Sequence, residues 1–182
     1  MSDSAMSSQN PSGQTVADQG LSDQTLADFV NRLGSTAMAP GSGAAGAVAL
    51  ALAAGCLAKA FGLSYRHTSA SELREAADHS RALATIALEC AQRDGEDFRR
   101  WLESHSAPAA AALRQDARQL FGLSSVLKKL LATHRDAVIP ALIADLEAAL
   151  DFIAAFEAIE TRNNSELPAS SAVAVAVPGN PT

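Results

Sequence analysis

The chain has 182 residues, a formal net charge of −6 at pH 7 and a sequence isoelectric point near 5.1. This acidic balance argues against a nucleic-acid-binding protein, which needs a basic face to neutralise phosphates. The four histidines are scattered and show no metal-ligand spacing. The two cysteines, Cys56 and Cys90, lie in apolar stretches, and we interpret them as buried free thiols of a reducing compartment.

The two ends of the chain differ in composition from the middle. Residues 1–20 are mostly Ser, Gln, Gly and Asp, which predicts a disordered leader. They lack the basic start and apolar core of a signal peptide, so we expect a cytoplasmic protein. Residues 163–182 include three prolines and an Ala/Val alternation at 172–177, and we predict a disordered tail there. The folded domain is therefore expected at 21–162.

The first predicted helix spans 23–33, with Ser22 as its N-cap. Its large apolar residues recur at the i, i+3, i+4, i+7 spacing of one helix face: Leu26, Phe29, Val30 and Leu33. This spacing predicts that the face is buried.

A second helix is predicted at 44–61, where small and apolar residues surround the whole helix and no charge occurs before Lys59. Such a segment is either a membrane span or a helix buried in the middle of a bundle. The residues are mostly Ala and Gly, which gain little from lipid. We therefore predict a central buried helix and no membrane association.

A third helix follows the sequence Ser69-Ala70-Ser71-Glu72, which matches a capping box with Ser69 as the cap, and it is expected to end near Glu103. One face of this helix carries residues at helical spacing: Leu83, Ala84, Ala87, Ala91, Asp94, Phe98 and either Trp101 or Leu102. The third helix therefore has one acidic residue on its otherwise apolar face.

Two further helices are predicted in the second half of the chain. Ser106 and Pro108 indicate the start of the fourth helix, and Asp136 is the expected N-cap of the fifth, in which Pro140 sits early. The predicted inward faces are Leu113, Ala117, Leu120, Leu127 and Leu131 in the fourth helix, and Leu142, Ile143, Leu146, Ala149, Leu150 and Ile153 in the fifth. The fold class is therefore all-α, a bundle of about five helices around a central small-residue helix.

The loop before the second helix contains Pro40, Gly41, Ser42 and Gly43. Pro40 ends the preceding structure, and the glycines leave main-chain N–H groups uncovered at the positive end of the helix dipole. Such a loop can seat a carboxylate or another electron-rich group. A tight helix–helix connection is the alternative interpretation.

Asp94 lies on the apolar face of the third helix, where a carboxylate is unfavourable unless it is paired. Burial there would raise its pKa toward the range of a general acid or base. Two structural alternatives remain open at this point. Gly95 could kink the helix and admit water, or Arg66 or Arg135 could pair with Asp94.

Residues 21–103 resemble one known family. The resemblance rests on a short helix before Pro40-Gly41-Ser42-Gly43, on a long Ala/Gly helix ending in Gly62-Leu63-Ser64, and on Asp94-Gly95-Glu96-Asp97-Phe98, which is similar to the family's Asp-Ala-Glu-Ala-Phe. The family is the cyclodeaminase/cyclohydrolase family. It includes the C-terminal domain of formiminotransferase-cyclodeaminase and the stand-alone methenyltetrahydrofolate cyclohydrolases.

The resemblance implies an enzyme of folate one-carbon metabolism. A cyclohydrolase adds water to the methenyl carbon held between N5 and N10 of tetrahydrofolate and opens the ring to the 10-formyl form. A cyclodeaminase lets N10 attack a formimino carbon, and ammonia leaves. Both reactions need a positioned proton acceptor and donor, but no redox cofactor or metal. The expected ligand is therefore a tetrahydrofolate derivative, bound as substrate by a homodimer.

The resemblance also implies site residues. Asp94 is the expected catalytic residue, and the loop from Pro40 through Gly41 and Ser42 to Gly43 is expected to contact the substrate. Ser64 occupies the place of a family threonine. By their charge, Arg66 and His67 are candidates to receive the anionic tail of the folate, and Lys59 is a further one.

The chain departs from the family pattern at several of these positions. The family's Pro-Thr-Pro-Gly-Gly-Gly-Ser is replaced by residues 37–44, Ala-Met-Ala-Pro-Gly-Ser-Gly-Ala, and its Asn-Leu-Thr by Gly62-Leu63-Ser64. These changes keep the scaffold but remove polar groups. The alternative to an enzyme is therefore a catalytically inactive helical dimer that binds a ligand or a partner protein. In that case we expect an infilled pocket, with Asp94 salt-bridged and Met38 or Tyr65 in the space.

Overall fold

A computed structural model describes residues 24–166 of the chain. These residues form five α-helices, and no strand occurs among them: α1 Leu26–Leu33, α2 Ser42–Thr68, α3 Ser71–Ser104, α4 Ala107–His134 and α5 Ile143–Glu166. Two short 3₁₀ turns, Arg135–Ala137 and Pro140–Leu142, connect α4 to α5. The predicted all-α bundle is confirmed. The predicted leader, Ser22 and the Ala/Val segment at 172–177 lie outside the described residues.

Helix α2 is the centre of the bundle, as predicted. It packs mainly against α3 on one side and α5 on the other. Leu50, Leu57 and Phe61 on α2 are completely buried. The helix is long and apolar enough to cross a membrane by length and composition, yet 61% of its most apolar window is buried inside the fold. Its small side chains are therefore explained by close packing of neighbouring helices.

Two predicted helix starts need correction, and a third is confirmed. Helix α1 begins at Leu26 rather than at 23, because Thr25 is its N-cap and forms a capping box with Asp28. Helix α3 has no capping box, since Ser69 ends α2 in the left-handed conformation with φ of 58° and Ala70 is the N-cap. The start of α4 is confirmed, because the Ser106 hydroxyl accepts a hydrogen bond from the Ala109 N–H at 3.4 Å.

The connection into α5 also differs from the prediction. Asp136 does not cap α5, because it lies within the first 3₁₀ turn. Pro140 begins the second 3₁₀ turn, and α5 starts only at Ile143. At its other end α5 continues to Glu166, so the helical domain extends beyond the predicted boundary at residue 162.

The prediction that the apolar face of α1 is buried is wrong for the single chain. Only Phe29 is buried, whereas Leu26 is 68% and Val30 56% exposed. The helix has eight residues and reaches the core through one aromatic side chain. Its apolar spacing indicated a helix correctly, but periodicity does not show whether a partner surface covers the face.

Candidate functional site

A cavity of about 300 Å³ lies where the N-terminal end of α2 meets α3, α4 and α5. The residues that line it come from all four helices and the α2 N-cap: Gly41, Ser42, Gly43, Asp94, Phe98, Trp101, Leu113, Ala117, Glu160, Asn163 and Asn164. The loop and the acidic residue that the sequence singled out therefore share one site. Within the part of the chain that the structure describes, no Lys, Arg or His side chain belongs to this lining.

The start of α2 lacks a side-chain cap of its own. Its N-cap is Gly41, which carries no hydrogen-bonding side chain. The Asp94 carboxylate from α3 accepts a hydrogen bond from the Ala44 N–H instead. It occupies the space in front of Gly43, where a Cβ would lie within 2.7 Å of both Cγ and Oδ2. Asp94 thus supplies from another helix the acceptor that an N-cap residue normally provides.

The pKa of Asp94 is raised to about 6. Burial is the main cause, and the negative charges of Asp116 and Asp97 add to it, while the hydrogen bond from Ala44 opposes it. Among the described residues no cation pairs with Asp94, because Arg93 pairs with Asp116 and Arg135 with Glu147. The predicted alternative of a salt bridge to Arg66 or Arg135 is therefore wrong.

The alternative of a kink at Gly95 is not supported either. Helix α3 is continuous through this residue, and Gly95 is buried. A Cβ at Gly95 would lie 3.2 Å from the Ala39 Cβ. The glycine therefore lets the loop before α2 pack closely onto α3, which holds Gly41–Gly43 beside Asp94.

Glu160 is the second carboxyl at the cavity, and it is more deeply buried than Asp94. It was not among the site residues predicted from the sequence. It is 5% exposed, and Oε1 accepts a hydrogen bond from the Asn163 Nδ2 at 3.2 Å. The Asn163 Oδ1 in turn accepts from the Ser42 hydroxyl at 2.9 Å. Burial raises the pKa of Glu160 to about 7, with a further contribution from the charge of Asp94 and an opposing one from Asn163.

A sequence signal for Glu160 did exist. Residues at helical spacing on α5 are fully or nearly fully buried: Leu146, Ala149, Ile153, Phe156 and Glu160. Glu160 therefore stands on an apolar face in the same way as Asp94. The signal was lost because the domain was expected to end at residue 162, which left Glu160 at a helix end.

Two aromatic rings form a wall of the cavity. The rings of Phe98 and Trp101 lie with centroids 5.9 Å apart at an interplanar angle of 35°. Leu113 and Ala117 add an apolar surface from α4. The site thus combines two carboxyls and bare helix N–H groups with flat apolar faces, which is typical of a site for a polar heteroaromatic ligand.

The other predicted site residues lie elsewhere. Pro40 directly precedes the lining residues and is half-buried. Ser64 is fully buried, and its hydroxyl accepts a hydrogen bond from the Ile139 N–H at 3.1 Å. Arg66 and His67 are exposed near the opposite end of α2, about 35 Å from Gly43 along the helix. The cavity in this chain does not bring these last three together with Asp94, and their role in binding stays a prediction.

The two cysteines and the metal-binding potential can be described briefly. Cys90 is buried and Cys56 partly buried, both are free, and burial raises the pKa of each thiol. Within residues 24–166 no group of three or more His, Cys, Asp or Glu side chains is arranged to hold a metal ion.

The fold and site define a class: an all-α bundle whose small-residue central helix presents its N-terminus to a partly buried carboxyl. A family model of formiminotransferase-cyclodeaminase matches residues 25–121, which is more than half of the chain and includes the loop, α2 and Asp94. The chain therefore belongs to the formiminotransferase-cyclodeaminase family, a family of folate one-carbon metabolism. Comparison with curated proteins and with solved structures gives no significant match.

Proposed function

We propose that this chain is a cytoplasmic cyclohydrolase-like enzyme that hydrolyses 5,10-methenyltetrahydrofolate to 10-formyltetrahydrofolate without a redox cofactor or metal. The observation that carries the proposal is the partly buried Asp94 carboxyl, which lines an open cavity and has no cationic partner within residues 24–166. A group with this environment is poised between its two protonation states near neutral pH.

In this proposal Asp94 accepts the first proton of the reaction. A water molecule attacks the methenyl carbon, a C–O bond forms, and the π electrons of the cationic amidinium return to nitrogen. The ionised Asp94 takes one proton from that water. Its negative charge also favours binding of the cationic substrate. Among the described lining residues, only Asp94 and Glu160 can carry a charge, and both are acidic.

The shape of the cavity supports a flat bicyclic ligand. Its volume of about 300 Å³ is at the lower end of small-molecule sites, so we assign it to the pterin ring and the one-carbon bridge. Phe98 and Trp101 would stack on the rings. The anionic tail would extend out of the cavity, because no basic side chain lines it.

The inactive alternative required an infilled pocket. Met38 is 57% exposed and does not line the cavity, and Tyr65 lies near the other end of α2. Asp94 has no salt bridge among the described residues. These observations favour the enzyme over the binding module.

The test is the loss of methenyltetrahydrofolate absorbance with the full chain, corrected for the rate in buffer. We expect the wild type to accelerate hydrolysis and Asp94→Asn to lose about 10²-fold or more of the excess rate. Glu96→Gln is the matched control, because Glu96 is exposed on the same helix and is not among the groups that shift the Asp94 pKa. It is expected to stay within about twofold of the wild type.

An inactive wild type would reject the cyclohydrolase. Release of ammonia from formiminotetrahydrofolate would then establish the cyclodeaminase reaction instead. If neither substrate reacts, the inactive binding module becomes the correct description.

A further inference from the structure

The two carboxyls of the cavity, the buried Glu160 and the partly buried Asp94, lie over two glycines of the same α2 face. Asp94 rests on Gly43, and the Glu160 Oε1 lies 3.5 Å from where a Cβ of Gly46 would be. Residues three apart on a helix are neighbours on one face, separated by about 4.5 Å along the axis. The first turns of α2 therefore hold both carboxyls side by side on bare backbone.

Among residues 24–166 no salt bridge to a cation neutralises this pair. The charged groups that face it are acidic: Asp97 on α3, and Asp116 on α4, which Arg93 already neutralises. Two neighbouring carboxyls without a counter-charge do not both ionise readily, and the charge of Asp94 raises the pKa of Glu160. The pKa of Asp94 near 6 and that of Glu160 near 7 agree with one ionised and one protonated carboxyl.

Hydrogen bonds orient the protonated carboxyl. The Ser42 hydroxyl donates to the Asn163 Oδ1, which directs the Asn163 Nδ2 toward the Glu160 Oε1. When Glu160 is protonated, Oε1 serves as the carbonyl oxygen that accepts from Asn163, which leaves the proton on Oε2. In that state Glu160 can donate from Oε2 in a cavity where Asp94 is the acceptor.

We propose that Glu160 is the second catalytic residue of this site, the proton donor to the departing nitrogen, with Asp94 as the proton acceptor. The inference rests on the proposed function. It assigns the proton-donor role, which Asp94 as proton acceptor does not fill.

The proton balance of the hydrolysis closes with these two groups. Asp94 takes one proton as water bonds to the methenyl carbon. The resulting carbinolamine then collapses: its hydroxyl becomes the formyl C=O, the bond from carbon to N5 breaks, and N5 receives the proton of Glu160. The hydroxyl proton returns to Glu160, and Asp94 releases its proton to solvent. One water is consumed and one proton released for each cation hydrolysed.

The test compares Glu160→Gln with the wild type in the methenyltetrahydrofolate assay from about pH 5 to about pH 9, a range that includes both pKa values. Gln keeps the size of Glu and the acceptor for Asn163 but cannot donate an acidic proton. Glu157→Gln is the matched control, one turn earlier on α5, where Glu157 bonds Lys128 and Ser124 outside the cavity. Trp101, the single tryptophan of the chain, lines the cavity and reports ligand binding by its fluorescence.

We expect Glu160→Gln to bind the ligand within a few-fold of the wild type but to lose about 10²-fold or more in kcat. The wild-type profile of kcat/KM should be bell-shaped, because Asp94 must be ionised and Glu160 protonated. The variant should lose the fall at high pH. Glu157→Gln should keep both the rate and the bell.

The outcomes separate the two proposals. An active wild type with an equally active Glu160→Gln, or with an unchanged high-pH fall in that variant, overturns the role of Glu160 and leaves the cyclohydrolase standing. If methenyltetrahydrofolate quenches the Trp101 fluorescence of the wild type but neither folate substrate reacts, both the cyclohydrolase proposal and the role of Glu160 are overturned. Loss of binding together with rate in Glu160→Gln assigns Glu160 to substrate binding and overturns its role as proton donor.

Discussion

The absent side chains at Gly43 and Gly46 matter as much for the site as the carboxyls do. The Asp94 carboxyl, which accepts a hydrogen bond from the Ala44 N–H, occupies the space that a Cβ of residue 43 would need. At Gly43 a Cβ would come closer to Asp94 than such contacts are ever found. At Gly46 the space is tighter against Ile159, at 3.3 Å from its Cγ2, than against Glu160. Gly43 is therefore the glycine on which the position of Asp94 depends.

We predict that Gly43→Ala lowers the catalytic rate by at least about tenfold, because the added methyl group displaces the Asp94 carboxyl from the Ala44 N–H. Hydrolysis of methenyltetrahydrofolate measures the rate, and chemical denaturation measures the stability. Gly122→Ala is the control, since nothing lies within 4 Å of a Cβ there. It should stabilise α4 by about 0.5–1 kcal/mol and leave the rate unchanged. Full hydrolytic activity of Gly43→Ala would show that the reaction does not require the Asp94 carboxyl to contact the Ala44 N–H.

At the scale of the elements, the two ends of α2 serve different purposes. The N-terminal end opens into the cavity, where its N–H groups face Asp94 and Ser42 bonds Asn163 on α5. Toward the other end, the buried Ser64 hydroxyl accepts from the Ile139 N–H in the α4–α5 connection. Ser64 therefore has a structural partner, although the family resemblance had suggested a ligand contact.

We predict that Ser64→Ala destabilises the protein by about 1–3 kcal/mol, because the partly buried Ile139 N–H loses its acceptor. Urea denaturation followed by circular dichroism measures this change. Ser125→Ala should change stability by no more than about 0.5 kcal/mol, since Ser125 is exposed and bonds only within its own helix. KM for the folate substrate should stay at the wild-type value in both variants. A raised KM in Ser64→Ala with unchanged stability would restore Ser64 as a binding residue.

For the whole molecule, the outer face of α2 raises the question of assembly. Leu52 is 47% exposed, and Gly55 on the next turn has open space in front of it. Half-buried Val48 and Ala49 continue this apolar stripe toward the cavity end. Exposed small and apolar residues on a central helix favour close approach of a second helix, so we propose a homodimer in which two copies of α2 face each other.

We predict a dimer by light scattering coupled to size-exclusion chromatography, and a monomer for Leu52→Glu, because each copy would place a carboxylate in the apolar contact. Leu52→Ala keeps the surface apolar and is expected to remain dimeric. A monomeric wild type at micromolar concentration would refute the proposed assembly. So would a Leu52→Glu variant that dimerises as strongly as the wild type.

The interior of the bundle was largely predictable. The inward faces assigned to α4 and α5 are buried or packed against the core, and α2 is the central helix that its small residues indicated. Helix ends were less predictable. Ser69 matched the N-cap of a capping box for α3, but in the structure it is the C-cap of α2. The same local pattern is compatible with two neighbouring helices, and the connection between them decides which one uses it.

The sequence by itself determined the helices, the central place of α2, the exceptional position of Asp94 and the family, because each of these depends on periodicity or on contiguous residues. Only the tertiary structure decided which groups meet at the cavity. Glu160 and Asn163 join Asp94 there because α5 returns along α2, whereas Ser64 and Arg66 are carried away by the rigid length of the same helix. Contacts between distant segments follow from how whole helices pack, and a local pattern does not contain that information.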